Sequence, residues 1–123
     1  MNKTVMIVLT ILATVAVNVG AIPLAFFSLF GTAEGTSIFS IDYLIFTLIL
    51  VLANLIVVQL FMAIKKDKKQ LFAYGLIVAI IEVVFFVLFY NGGLNGLFFL
   101  IGSVTIVLAA FVLLVKSIRS VGN

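Results

Sequence analysis

The stretch that decides the fold is residues 71–90, LFAYGLIVAIIEVVFFVLFY, in which Glu82 is the one charged residue. About 20 apolar residues let a helix cross roughly 30 Å of hydrocarbon, so this stretch predicts a transmembrane helix. A carboxylate at the centre of such a helix costs about 3 kcal/mol on insertion scales. Ionisable residues at that depth mark functional or partner-binding sites by default, which makes Glu82 the leading candidate site residue.

The composition of the whole chain indicates that lipid is its solvent. The 123 residues are 66% hydrophobic and 9% charged, whereas about 25% of the residues in ordinary soluble domains are charged. So few polar side chains could not cover a soluble globule of this size. We therefore expect a single integral membrane domain over residues 1–123.

Four apolar segments predict an all-α membrane protein, a four-helix transmembrane bundle with short loops. They cover approximately residues 5–30, 43–64, 71–90 and 96–115, and each is long enough for a membrane span. The first is the longest, and Pro23 predicts a kink in it because proline removes a helix donor and clashes with the preceding turn. Apolar residues continue to Phe30, which favours a retained span over a cleaved secretory signal.

The basic residues predict the orientation of the bundle. All seven lie on one side of the predicted spans: Lys3, Lys65, Lys66, Lys68, Lys69, Lys116 and Arg119. The opposite side carries Glu34 and Asp42. Cytoplasmic loops are enriched in Lys and Arg, so we expect a protein of the cytoplasmic membrane with both termini in the cytoplasm. The loop 65–69 is interpreted as a topology determinant, with attraction to lipid headgroups or an acidic partner as the alternative.

Each predicted helix carries a polar residue near its midpoint. These residues are Asn18, Asn54, Glu82 and Thr105, with Ser103 close by. Polar side chains in hydrocarbon bind partners on neighbouring helices, so we predict a buried layer in which the other residues surround Glu82. For the two asparagines, hydrogen bonding between helices is favoured over ligand binding. Glu82 is interpreted as a proton-exchanging or partner-binding group, with a purely structural role as the alternative.

Small residues recur on one face of three predicted helices. The first helix places Thr10, Thr14, Asn18, Ala21 and Ala25 in one narrow arc, the third pairs Gly75 with Ala79, and the fourth pairs Gly102 with Ala109. Such faces let helix backbones approach closely, so they predict helix packing. For the first helix, the alternative is that this face lines a pathway.

The residue inventory gives little support for an enzyme. The chain has no cysteine and no histidine, which excludes disulfides and thiolate catalysis and removes the usual zinc ligands. It has no glycine-rich phosphate loop, and we expect no metal, no cofactor and no nucleic-acid partner. We expect a non-enzymatic protein of the lipid bilayer that acts through lateral helix contacts, in a homo-oligomer or as a subunit, modulator or immunity-type factor of a larger complex. The alternative is a small oligomeric proton-coupled transporter or channel that uses Glu82.

Overall fold

The part of the chain that the structure describes consists mainly of long helices. A computed structural model describes residues 2–29, 40–93 and 95–119. The helices are α1 (Lys3–Phe27), α2 (Ile41–Ala53), α3 (Leu55–Lys65), α4 (Lys69–Tyr90) and α5 (Gly96–Arg119). Since α2 and α3 form one span, the described chain has four helical spans of 25, 25, 22 and 24 residues, all long and apolar enough to cross a membrane. The prediction of an all-helical chain with four membrane-length segments is confirmed, whereas Glu34 lies outside the described residues.

Local signals in the sequence set several helix ends. Oδ1 of Asn2 accepts a hydrogen bond from the N–H of Val5 at 2.9 Å, and Oδ1 of Asn95 accepts one from the N–H of Phe98 at 2.9 Å. Both bonds satisfy N–H groups that have no partner within the first turn of a helix. After α4, Gly92 adopts a φ of 77°, a left-handed conformation that glycine reaches without steric cost. These residues therefore fix where α1 and α5 begin and where α4 ends.

The proline of the first span lies inside α1, which continues past Pro23 to Phe27. Proline supplies no N–H to the helix, so the carbonyl of Val19, four residues earlier, lacks its usual partner. The kink that the sequence predicts at this point stays a prediction.

A break at Asn54 divides the second span, which the sequence predicts as one continuous helix over residues 43–64. Asn54 has φ −92° and ψ 1°, and its N–H is shared between the carbonyl groups of Leu50 and Val51, both at 3.2 Å. Its side chain also donates from Nδ2 to the Leu50 carbonyl at 2.7 Å. A polar side chain that bonds the preceding turn competes with the regular helical hydrogen bonds, but the N–H of Val58 still donates to the Asn54 carbonyl at 3.1 Å, so the irregularity is confined to Asn54.

The core of the bundle is divided into two clusters. One lies near the loop 65–69 and contains Met6, Leu60, Ala63, Ile64 and Phe72. The other lies further along the bundle and contains Val17, Ala21, Ala53, Ile56, Val57, Ala79, Phe86 and Ala110.

Helices α2 and α5 are less enclosed than the rest of the bundle. Helix α2 packs mainly on α1, whereas α5 packs on α3 and α4. Among the residues of α2, Ala53 alone is buried. In the most apolar stretch of 18 residues, only 6% of the residues of α5 are buried, against 28% in each of the other spans. The two helices therefore flank an opening beside α4 instead of closing against each other.

All seven basic residues lie at one end of the bundle, which we call the basic end. Nζ of Lys66 donates to the carbonyl of Ile118 at 3.4 Å, and this contact ties the loop 65–69 to the end of α5. Within that loop Lys65, Lys66 and Lys69 are exposed. Lys68 is 9% exposed, and its Nζ has no hydrogen-bond partner among the described residues.

Candidate functional site

Two asparagines join the first span to the second. Nδ2 of Asn18 donates to Oδ1 of Asn54 at 2.9 Å, and Nδ2 of Asn54 donates to Oδ1 of Asn18 at 3.1 Å. Each amide also donates to a carbonyl four residues earlier in its own helix, that of Thr14 or Leu50. Hydrogen bonds between membrane helices stabilise by about 0.6–2 kcal/mol. The geometry of this pair therefore suits helix association, because its hydrogen-bonding groups are used inside the protein.

Glu82 lies on α4 and contrasts with the asparagines because part of its carboxyl group is buried without a partner. The residue is 7% exposed, and Oε2 has no hydrogen-bond partner among the described residues. The basic residue of the same helix is Lys69, 13 positions away, or about 20 Å along the helix axis. Burying a polar group without a partner costs free energy. The position of Glu82 is therefore unfavourable for the isolated chain.

The side chain of Glu82 lines a half-open groove of about 610 Å³ between α2 and α5. The groove is also lined by Leu24, Ile49, Leu52, Ala53, Phe85, Phe86, Phe89, Gly96, Phe99 and Ser103. Glu82 and Ser103 supply its polar side chains, and the remaining walls are apolar. Ligand sites commonly combine a volume of roughly 300–1,000 Å³ with apolar walls and a few polar groups. The groove has these properties.

Phenylalanine rings form the wall of the groove between α4 and α5. The ring of Phe99 stacks on that of Phe89 with centroids 4.0 Å apart, and on that of Phe85 at 5.4 Å. Gly102 faces the Phe85 ring so closely that a Cβ atom at this position would collide with it. The close approach of α5 to α4 therefore depends on the missing side chain of Gly102.

Helix α1 meets α4 where the groove ends. The hydroxyl of Tyr90 donates to the carbonyl of Gly20 at 2.5 Å. A Cβ atom at Gly20 would lie 2.6 Å from the Phe86 ring, so this glycine allows the two helices to touch. The contact fixes the half of α4 that is farther from the basic end, which carries Glu82 and the groove-lining rings.

The structure separates the polar layer that the sequence predicts. Asn18 and Asn54 bind each other, whereas Glu82 lines the groove together with Ser103. Thr105 is exposed, and its hydroxyl donates to the carbonyl of Ile101 in its own helix at 3.0 Å. The placement of Thr105 in a buried layer was therefore wrong. Residues two positions apart on a helix point about 200° apart, so Ser103 and Thr105 cannot both face inward.

The predicted packing residues are buried on two of the three helices. Thr10, Ala21, Ala25, Gly75 and Ala79 are buried, Thr14 is half-buried, and Gly102 is half-buried against Phe85. Ala109 is exposed, and its neighbour Ala110 is buried instead. The placement of Ala109 in a helix contact was wrong by one position, which corresponds to about 100° of rotation around α5.

A second polar cluster lies near the basic end, around Gln59, whose position in the sequence favours an orientation towards another subunit or the membrane interface. Gln59 is fully buried, and its Nε2 donates to the carbonyl of Leu71 at 3.0 Å and to Oγ of Ser117 at 3.1 Å. Gly75 lies against it so closely that a Cβ atom would collide with Oε1 of Gln59. Gln59 therefore links α3, α4 and α5. Ser117 lies beyond the predicted end of the last span, which hid this contact from the sequence.

Known proteins give no guide to the function. Comparison with family models, with curated proteins and with solved structures finds no match for the chain. Within residues 2–29, 40–93 and 95–119, no group of three or more Asp, Glu, His or Cys side chains is placed to hold a metal ion. The functional interpretation therefore rests on the groove around Glu82.

Proposed function

We propose that the chain is a multi-pass protein of the cytoplasmic membrane that acts non-enzymatically through lateral helix contacts, with the Glu82 groove as its contact surface. In this proposal both termini face the cytoplasm, because all seven basic residues lie at the basic end. The observation that carries the proposal is the Glu82 carboxyl group, which lines a half-open groove and whose Oε2 has no hydrogen-bond partner among the described residues. An occupant that forms a hydrogen bond with the carboxyl group of Glu82 offsets part of the cost of burying it.

The occupant that we propose is α5 of a second copy. Most of α5 is exposed, and Thr105 lies on its exposed face. The Thr105 hydroxyl donates its proton to Ile101, but its oxygen keeps lone pairs that accept a hydrogen bond from a protonated carboxyl group. Thr105 can therefore offer Glu82 an acceptor, whereas the side-chain oxygens of Asn18, Asn54 and Ser117 already accept hydrogen bonds inside the chain.

The depths of the two residues agree with a parallel dimer. Glu82 lies 13 residues from the start of α4, and Thr105 lies 14 residues from the end of α5, both measured from the basic end. A two-fold axis along the membrane normal relates residues at equal depth. Ala53, Gly96 and Ser103 in the groove walls leave room for a close helix approach. Each copy then inserts α5 into the groove of the other.

Disulfide formation between copies tests this arrangement, because the natural chain contains no cysteine. One copy carries Thr105→Cys, and the other carries Leu52→Cys on the groove wall formed by α2. In vesicles under mild oxidation we expect a mixed disulfide, which requires Cβ atoms about 3.5–4.5 Å apart. The control pairs Leu52→Cys with Val19→Cys, at a position on α1 that is 69% exposed. The proposal fails if the first pair gives no disulfide, or if both pairs react equally.

Proton-coupled transport through Glu82 is the second candidate. It is favoured by a titratable group in a cavity of ligand size. Glu82→Gln separates the two functions, because an amide keeps the hydrogen bonding but cannot exchange a proton. The contact function predicts an unchanged dimer and no substrate-driven proton movement in vesicles. Proton movement that depends on an added apolar substrate and is lost in Glu82→Gln would favour transport instead.

A further inference from the structure

A second groove, distinct from that of Glu82, lies at the basic end between the start of α4 and the end of α5. Its volume is about 670 Å³. Leu71, Phe111, Val112 and Val115 form its apolar part. Gln70, Lys116 and Arg119 form its polar part, at the very end of the bundle. An apolar strip is therefore continuous with a site that carries two positive charges.

The positive charges of this groove are not neutralised within the described chain. Neither Lys116 nor Arg119 forms an ion pair with an acidic residue in the described ranges. Asp67 is the acidic residue at this end, and it belongs to a loop that also contains four lysines. The Lys66 Nζ, bound to the Ile118 carbonyl at 3.4 Å, brings a further positive charge to the end of α5. The groove therefore favours an anionic occupant.

We propose that this groove binds one anionic phospholipid. Arg119 and Lys116 hold the headgroup phosphate, because a guanidinium group binds phosphate through two parallel hydrogen bonds and an ammonium group adds a point charge. Nε2 of Gln70 donates one hydrogen to the Tyr74 hydroxyl at 2.9 Å, and its second hydrogen supplies a further donor for the headgroup. An acyl chain lies along Phe111, Val112 and Val115, where it covers side chains that are exposed in the described chain, such as Phe111 at 54%.

The combination of apolar strip and cations identifies a lipid more specifically than charge alone. A free phosphate ion would contact the cations alone, whereas a phospholipid held by the same cations also places its own acyl chain along the adjoining apolar strip. The exposed lysines of the loop 65–69 attract any anionic surface by roughly 1 kcal/mol each, without fixing a single molecule. The groove differs from that loop because residues of two helices, α4 and α5, enclose it. Basic pockets between membrane helices bind anionic lipid headgroups.

Lipid binding is measured on the purified full chain by native mass spectrometry, with phosphatidylglycerol or phosphatidylcholine as the added lipid. The test variant is Lys116→Gln with Arg119→Gln, and the matched control is Lys65→Gln with Lys69→Gln, which removes the same charge at the same end. We expect retained phosphatidylglycerol to fall roughly tenfold or more in the test variant and to change little in the control. A third variant, Val112→Trp, fills the apolar part without changing charge, and we expect it to reduce lipid retention as well.

Three results would overturn the lipid site. The first is an equal loss in both charge variants, which would indicate attraction without a defined site. The second is equal retention of phosphatidylcholine by the natural chain. The third is displacement of the lipid by millimolar inorganic phosphate, which would assign the cations to a free anion. A thermal unfolding curve of each variant in detergent verifies that the helices remain folded.

Discussion

Asn18 and Asn54 hydrogen-bond to each other in both directions, at 2.9 and 3.1 Å, and hold α1 against the junction of α2 and α3. Neither amide depends on a ligand, since each also binds a carbonyl of its own helix. The pair therefore stabilises the contact between the first and second spans, beside the groove.

Replacing either asparagine by alanine is expected to lower the free energy of unfolding. Asn18→Ala and Asn54→Ala each remove both interhelical bonds, so each should cost about 0.6–2 kcal/mol, and the double variant should cost little more than one of them. Unfolding in mixed detergent measures these values. The control is Thr47→Val, because the exposed Thr47 hydroxyl binds only the carbonyl of Tyr43 in its own helix in the described structure. Additive losses in the double variant would contradict direct pairing.

Gly75→Ala is expected to destabilise the bundle because the new methyl group collides with Oε1 of Gln59. Overpacking of this kind costs about 1–3 kcal/mol. The matched control is Gly96→Ala, where a Cβ atom meets no atom within 4 Å. Detergent unfolding compares the two variants. Equal stability would show that Gln59 moves aside at no cost.

Glu82→Leu is expected to change folding and association in opposite directions. It removes a buried carboxyl oxygen without a partner, so the monomer should gain about 1 kcal/mol or more in stability. It also removes the bond that we propose to Thr105 of the second copy, so the dimer should weaken. Unfolding in a detergent that keeps the chain monomeric measures the first effect, and energy transfer between labelled copies in vesicles measures the second. The control is Ile80→Leu at a position that is 62% exposed. A less stable Glu82→Leu monomer would show that the carboxyl group has an internal partner.

The orientation of the bundle is tested with single cysteines at Asn91 and Lys69, both of which are exposed in the structure. We expect an impermeant thiol reagent to label Asn91→Cys on intact cells, and Lys69→Cys only after the membrane is opened, because basic loops stay in the cytoplasm. Labelling of Lys69→Cys from outside would reverse the orientation.

The sequence predicts the spans well because their length and apolar character are properties of each segment by itself. Residues 71–90, for example, lie entirely within α4, Lys69–Tyr90. The break at Asn54 could not be predicted in this way. Asn54 binds the Leu50 carbonyl through its side chain at 2.7 Å, but Asn18 makes the same kind of bond to the Thr14 carbonyl at 2.8 Å in a continuous helix, so asparagine in an apolar run does not by itself indicate a break.

The sequence predicts the depth of a residue in the bundle, because residues can be counted along a helix. It does not predict the direction in which a side chain points, because that depends on how neighbouring helices pack. Depth correctly placed Asn18 and Asn54 at the same level. The inward direction of Ser103, with Thr105 exposed, depends on how α5 rotates against Phe85 at Gly102. The contact between Gln59 and Ser117 joins residues 58 positions apart, and no local pattern in the sequence indicates it.

The irregularity at Asn54 divides the second span into two helical parts. Helix α2 has 13 residues, and helix α3 has 11. Helix α3 packs between α4 and α5, whereas α2 packs mainly on α1 and forms one wall of the groove. The two parts of the second span therefore pack against different helices, and only α2 forms a wall of the groove. The asparagine pair lies at this boundary, so its two hydrogen bonds hold α1 against the point where the second span exchanges one set of packing partners for another.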